Sequence, residues 1–172
     1  MCKPASFVVT KDQVFWSKNS DSHQSIADEN NLHTDGVRGV NVVFTEVSPA
    51  GGNVTLPVNQ WKYMVDERSL GLLPDWYDAA DVEKRCRVAL AEWAAQKLIW
   101  ADHADITDGN YFICGGTVNQ VSGGTVNAVW GGTVITYVTI DKGIMTGASA
   151  VIVDRSGDKP KCYVGIQKKA KR

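Results

Sequence analysis

The sequence predicts an α+β domain, a small antiparallel sheet with one long amphipathic helix, followed by a short β-solenoid of octapeptide repeats. Two observations carry this expectation. Apolar residues recur at helical spacing along positions 79–100, and Gly-Gly-Thr-Val opens three consecutive octads from Gly115. A balance of 44% hydrophobic and 22% charged over 172 residues belongs to a chain that buries a sizeable core without disulfides.

The first strands fall at 6–10 and 13–16, around a Lys11-Asp12 turn. Ser20, Asp21 and Ser22 offer N-cap oxygens to a short helix ending near Leu32. Residues 37–47 are rich in β-branched side chains and read as a strand, and 49–53 form a loop by composition. Trp61, Tyr63 and Val65 share one face of the next strand. Asp78 then caps the long helix, whose stripe is Val82, Cys86, Ala89, Leu90, Trp93 and Leu98. Lys84, Arg85, Arg87 and Glu92 are expected to face water. Five tryptophans (Trp16, Trp61, Trp76, Trp93 and Trp100) read as large core residues, with an aromatic platform for bases or sugars as the alternative. Asp102, His103 and Asp105 fall in a loop joining a first domain, 1–106, to the array, 107–154.

Within the array, position four of each octad is Val118, Val126, Val134 and Ala150. Position seven is Ile113, Val121, Val129, Tyr137, Met145 and Val153. These positions share the inside only if each strand bends between them, because a straight strand alternates faces. Gly-Gly supplies a corner, and Asn127 is expected to point outward. An antiparallel meander is the competing arrangement; near-identity of the units favours stacking, which sets each residue against its own equivalent. The end of so short an array needs cover. Either a second copy of the chain supplies it, giving a homo-oligomer with a dimer favoured, or residues 161–167 fold back as a capping strand.

The net charge of −1 argues against a generally cationic nucleic-acid binder. The basic segment 155–172 reads as a solvated terminus, with phosphate contact as the alternative. Cys2, Cys86, Cys114 and Cys162 are spread along the chain, and Met-Cys-Lys-Pro opens no apolar targeting stretch, so reduced cytosolic thiols are expected. The histidines form no HxxxH or CxxC pair, and Asp66-Glu67 offers only two carboxylates, so neither metal nor cofactor is expected. Cys2 is the one catalytic candidate. Removal of Met1 would expose its thiol as nucleophile and its α-amine as base, with His23 or His33 assisting, as in N-terminal-nucleophile amidohydrolases. Its bland counterpart is a small apolar residue opening the first strand. The binding candidates are Trp130 and Tyr137 in the array and Trp61 and Lys62 in the head.

Met1-Cys2-Lys3, Asp21-Ser22-His23, the run from Trp61 to Glu67, and Pro74-Asp75-Trp76-Tyr77 precede the Gly-Gly-Thr-Val octads. This combination resembles small uncharacterised proteins of phage and prophage genomes, in which a similar head carries a variable number of such octads. The resemblance spans nearly the whole chain and implies a viral origin without a catalytic mechanism. It leads to the expectation of a non-enzymatic binding protein in the host cytoplasm, engaging a host macromolecule or a signalling nucleotide to counter defence. An N-terminal-cysteine hydrolase and a structural oligomerisation module are the other two readings.

Overall fold

A computed structural model describes residues 4–32, 41–69, 71–139 and 144–165, and its contacts divide the chain into two units between Ala95 and Gln96. Cys2 and His33, with residues 166–172 of the basic segment, lie outside the described residues.

The first unit is built on an antiparallel sheet of four strands: β1 (Ser6–Val9), β2 (Val14–Phe15), β3 (Val43–Ser48) and β4 (Lys62–Val65), in the order β2-β1-β3-β4. Two helices complete it, α1 (His23–Glu29) and α2 (Ala79–Lys97). Ser22 caps α1, its hydroxyl accepting from the Ser25 N–H, and the Asp78 carboxylate accepts from the Asp81 N–H at 2.9 Å at the start of α2. Ile26 and Ala27 of α1 pack with Val8, Phe15 and Phe44. Thr45, which alternates to the other side of β3 from Phe44, meets Cys86 of α2, with 3.3 Å between Oγ1 and Sγ. The expected stripe of α2 is buried at Val82, Cys86, Ala89, Leu90 and Trp93. Arg85 departs from expectation. Its guanidinium donates to the carbonyls of Thr10, Lys11 and Gln13 at 2.7, 2.8 and 3.2 Å and so closes the β1–β2 turn.

The helix stops at Lys97, and the stretch expected as its last turn and an interdomain loop is already solenoid. Strands β5 (Leu98–Ile99) and β6 (His103–Ile106) form the first coil. They are followed by β7 (Asn110–Ile113) and β8 (Thr117–Val121), then β9 (Thr125–Val129) and β10 (Thr133–Thr136), then β11 (Val151–Asp154). One face is β5-β7-β9, extended by a parallel bridge from Val129 to Met145. The other is β6-β8-β10-β11, all parallel. Parallel pairing establishes stacking over the antiparallel meander. Thr117 lies beside Thr133, so one coil takes sixteen residues, two octads, one on each face.

The repeated Gly-Gly is required by how closely the corners stack. Gly132 has φ +77°, and a Cβ there would sit 2.2 Å from the carbonyl oxygen of Gly116 one coil below. No other residue fits both constraints. Between the faces lie Ile106, Ile113, Val118, Val121, Val129, Val134, Met145 and Ile152. Two expected inward residues are not there. β8 carries an irregularity that lets Val118 and Val121 both turn inward, whereas β10 runs straight. Val134 and Thr136 therefore take the inside, and Tyr137 falls outside at 46% exposure. In β11 the inward residue is likewise Ile152, and Val153 turns out. Asn127 is half-buried, its amide donating to Asn110 Oδ1 on the neighbouring coil, so it forms a rung between coils instead of facing only water.

The last strand, β12 (Lys161–Val164), folds back antiparallel on β11, the internal arrangement weighed above for the end of the array. Tyr163 lies opposite Ile152 and packs on the solenoid core. No described helix is long and apolar enough to cross a membrane.

Candidate functional site

Two places in the described chain gather side chains beyond what packing needs. The first is built around His23. The cap at Ser22 sets this residue at the first position of α1, where it is fully buried against Phe44, with ring centroids 5.0 Å apart. Its Nε2 lies 3.0 Å from the carbonyl oxygen of Thr45. A carbonyl only accepts, so Nε2 carries the proton and Nδ1 keeps a lone pair. Arg68 Nη2 donates to that lone pair at 2.8 Å, and Asp66 Oδ2 is 3.7 Å from the same nitrogen.

Asp66 is set by the turn that leaves β4. Its backbone N–H donates to the Phe44 carbonyl at 2.9 Å. Its Oδ1 accepts from both the backbone N–H and Nε of Arg68, each at 2.9 Å. The Arg68 guanidinium also lies 5.0 Å from the centre of the Phe44 ring. Glu46, buried on β3, completes the group: a nitrogen of His23 and carboxylate oxygens of Glu46 and Asp66 lie within 4.8 Å of one another. Burial lowers the pKa of His23, against the opposing pull of the Thr45 bond and Asp66. Burial pushes the Asp66 carboxyl upward, but its bonds to Arg68 outweigh this and hold it below the usual carboxylate range.

With both ring nitrogens engaged, His23 has no lone pair to offer a substrate while Arg68 is in place, which removes the support for its expected role beside Cys2. Among the described thiols, Cys86 belongs to the first unit and Cys114 and Cys162 to the second. Burial pushes Cys86 up to about 11 and Cys114 up to about 12, and Cys162 is exposed on β12.

The second place is the outward side of β10, β11 and β12. In register, Ile135 lies beside Val153 and Cys162, and Val151 lies beside Val164. Val164 is 64% exposed and the other valines and Ile135 are half-buried. At the end of the same side stands Tyr137, whose hydroxyl accepts from Arg155 Nη1 at 3.3 Å, with the guanidinium carbon 6.0 Å from the ring centre. The earlier strands of the same sheet present Asp105, Thr117 and Gln120 outward.

Of the binding candidates, Tyr137 stands on this face and Trp130 is half-buried at a corner. Lys62 is exposed on β4 in the first unit. Trp61 is corrected to a core residue: 1% exposed, its indole N–H donating to the Leu56 carbonyl at 2.9 Å and its ring edge-on to Trp93 at 5.8 Å. The sequence pattern does not single out Glu46, Arg68 or the outward valines. No spacing links positions 23, 46, 66 and 68; Val151 and Val153 sit at octad positions that elsewhere carry polar residues or face in, and Val164 lies beyond the array. Comparison with protein-family models, with curated proteins and with solved structures finds no match.

Proposed function

We propose that the chain is a phage-type, non-enzymatic binding protein of the host cytoplasm, which engages a host protein through the outward face of β10–β12 in a counter-defence role. The observation that carries this reading is the change of character along one sheet. Polar side chains on the first coils give way to Ile135, Val151, Val153 and Val164, bordered by Tyr137 and Arg155. An apolar centre with Tyr and Arg beside it is the composition of protein recognition surfaces. A stacked frame holds this face rigid, which reduces the entropy lost on binding. The phage origin rests on the resemblance of the head and octads alone.

A second reading keeps the same face but gives it a signalling nucleotide, because a tyrosine ring beside a guanidinium can stack a base and meet a phosphate. The hydrolase reading now depends on Cys2, with His33 as its remaining assisting candidate. Self-association through this same face remains the third reading.

The test is affinity capture from infected cells with the wild-type chain, Tyr137→Ala and Val164→Asp, alongside light scattering of each. Both substituted side chains are exposed, so folding should be retained. The reading expects one protein recovered by the wild type, lost by both variants, and an 18.7 kDa species in isolation. Recovery unchanged in both variants refutes it, and a wild-type dimer that both variants dissociate assigns the face to self-association instead.

A further inference from the structure

We propose that His23, Glu46 and Asp66 form a binding site for a divalent transition-metal ion, in competition with the guanidinium of Arg68. This goes beyond the recognition face. It uses residues of the first unit only, so either idea can fail without the other.

Three features of the cluster are those of a metal centre. The donor set converges: one imidazole nitrogen and two carboxylates, from α1, β3 and the turn after β4, within 4.8 Å of one another. For metal–ligand bonds of about 2.1 Å, tetrahedral donors lie roughly 3.4 Å apart. The 3.7 Å between His23 Nδ1 and Asp66 Oδ2 is already close to that. The imidazole is also oriented as metal-bound histidines are. Its far nitrogen donates to a backbone carbonyl, Thr45 at 3.0 Å, which fixes the tautomer and leaves the Nδ1 lone pair to Arg68, with Asp66 Oδ2 beside it. Asp66 is held in the same manner by the backbone N–H of Arg68 at 2.9 Å.

The third feature is Arg68 itself. Two carboxylates and a lone pair make a pocket for positive charge, and the guanidinium answers it, donating to Nδ1 and to Asp66. That side chain is 51% exposed and enters from a turn, so it can leave for water without opening the core. A divalent ion would meet both carboxylates with twice the charge. Mixed nitrogen and carboxylate donors without a thiolate favour manganese, iron(II), cobalt or zinc over soft ions. In sequence, Asp66-Glu67 offers only two carboxylates; the fold replaces exposed Glu67 with Glu46 and adds the imidazole.

The experiment titrates the metal-stripped full chain with Mn²⁺, Co²⁺ and Zn²⁺, each alone, by calorimetry and thermal melting, in the wild type, Arg68→Ala and Asp66→Asn. At least one ion should bind in equimolar amount and raise the melting temperature. Arg68→Ala should tighten that binding about tenfold or more by removing the competitor, and Asp66→Asn should weaken it about tenfold or more. Should Asp66→Asn fail to fold, Arg68→Ala still decides, because its side chain is half exposed. If no ion binds even Arg68→Ala, or if affinity is the same in wild type and Arg68→Ala, the cluster is a purely structural network and the proposal is wrong.

Discussion

The guanidinium of Arg85 binds three carbonyls of the β1–β2 turn, and Arg87, one half-turn along α2, pairs mainly with Glu83 on its own helix at 2.6 Å. The two should therefore respond differently to truncation. Arg85→Ala strands carbonyls of the turn and is expected to cost about 1–2 kcal/mol. Arg87→Ala removes a solvent-screened pair with both partners more than a third exposed, and should cost about 0.5 kcal/mol or less by urea denaturation. Trp93→Ala empties a fully buried site against Trp61 and should cost about 3–5 kcal/mol. Thiol chemistry separates the cysteines in the same way. With maleimide at neutral pH, Cys162 should be labelled in the folded chain, whereas Cys86 and Cys114 should react only on unfolding, because burial raises both thiols to about 11 and about 12. Peptide mapping checks this. At this scale the sequence is legible for apolar residues and poorly so for long polar ones. The spacing of Val82, Cys86, Leu90 and Trp93 reveals the buried stripe, but a helical pattern cannot see the turn that Arg85 reaches. Nor can it see that His23, Glu46, Asp66 and Arg68 meet.

Among the elements, the octads were readable because their corners leave no choice. Gly116 and Gly132 combine positive φ with a neighbouring coil too close for a side chain. Gly132→Ala should therefore destabilise by more than about 1 kcal/mol, although it removes no side chain. Inside and outside are separable as well. Val126→Asp buries an unpaired carboxylate and should cost several kcal/mol, with loss of the folded baseline in thermal melts. Asn127→Asp keeps Asn110 as a partner, whose amide can turn to donate, and should cost about 1 kcal/mol or less. Equal losses would contradict the assigned faces. What stayed hidden follows from the same physics. The first coil, β5 and β6, lacks the Gly-Gly corner, so its strands carry the pattern of a helix end and a loop. Tyr137 keeps position seven in the repeat, yet its strand lacks the irregularity that turns position seven inward in β8. That local difference, invisible in the spacing, puts an aromatic ring on the outside.

For the whole molecule, the two units divide the roles proposed for them: the cluster of His23, Glu46, Asp66 and Arg68 in the first, and a recognition face on the last three strands of the second. The back-folded β12 is what makes that face. It pairs along β11, carries Val164 and Cys162 beside Val151 and Val153, and widens the outward apolar area by one strand. The measurement that tests this most directly is hydrogen–deuterium exchange of the full chain, alone and with the protein captured from infected cells. Added protection at 133–137, 151–155 and 161–164, with the first unit unchanged, is the predicted result. Protection confined to the first unit, or absent from all three strands, would contradict the account.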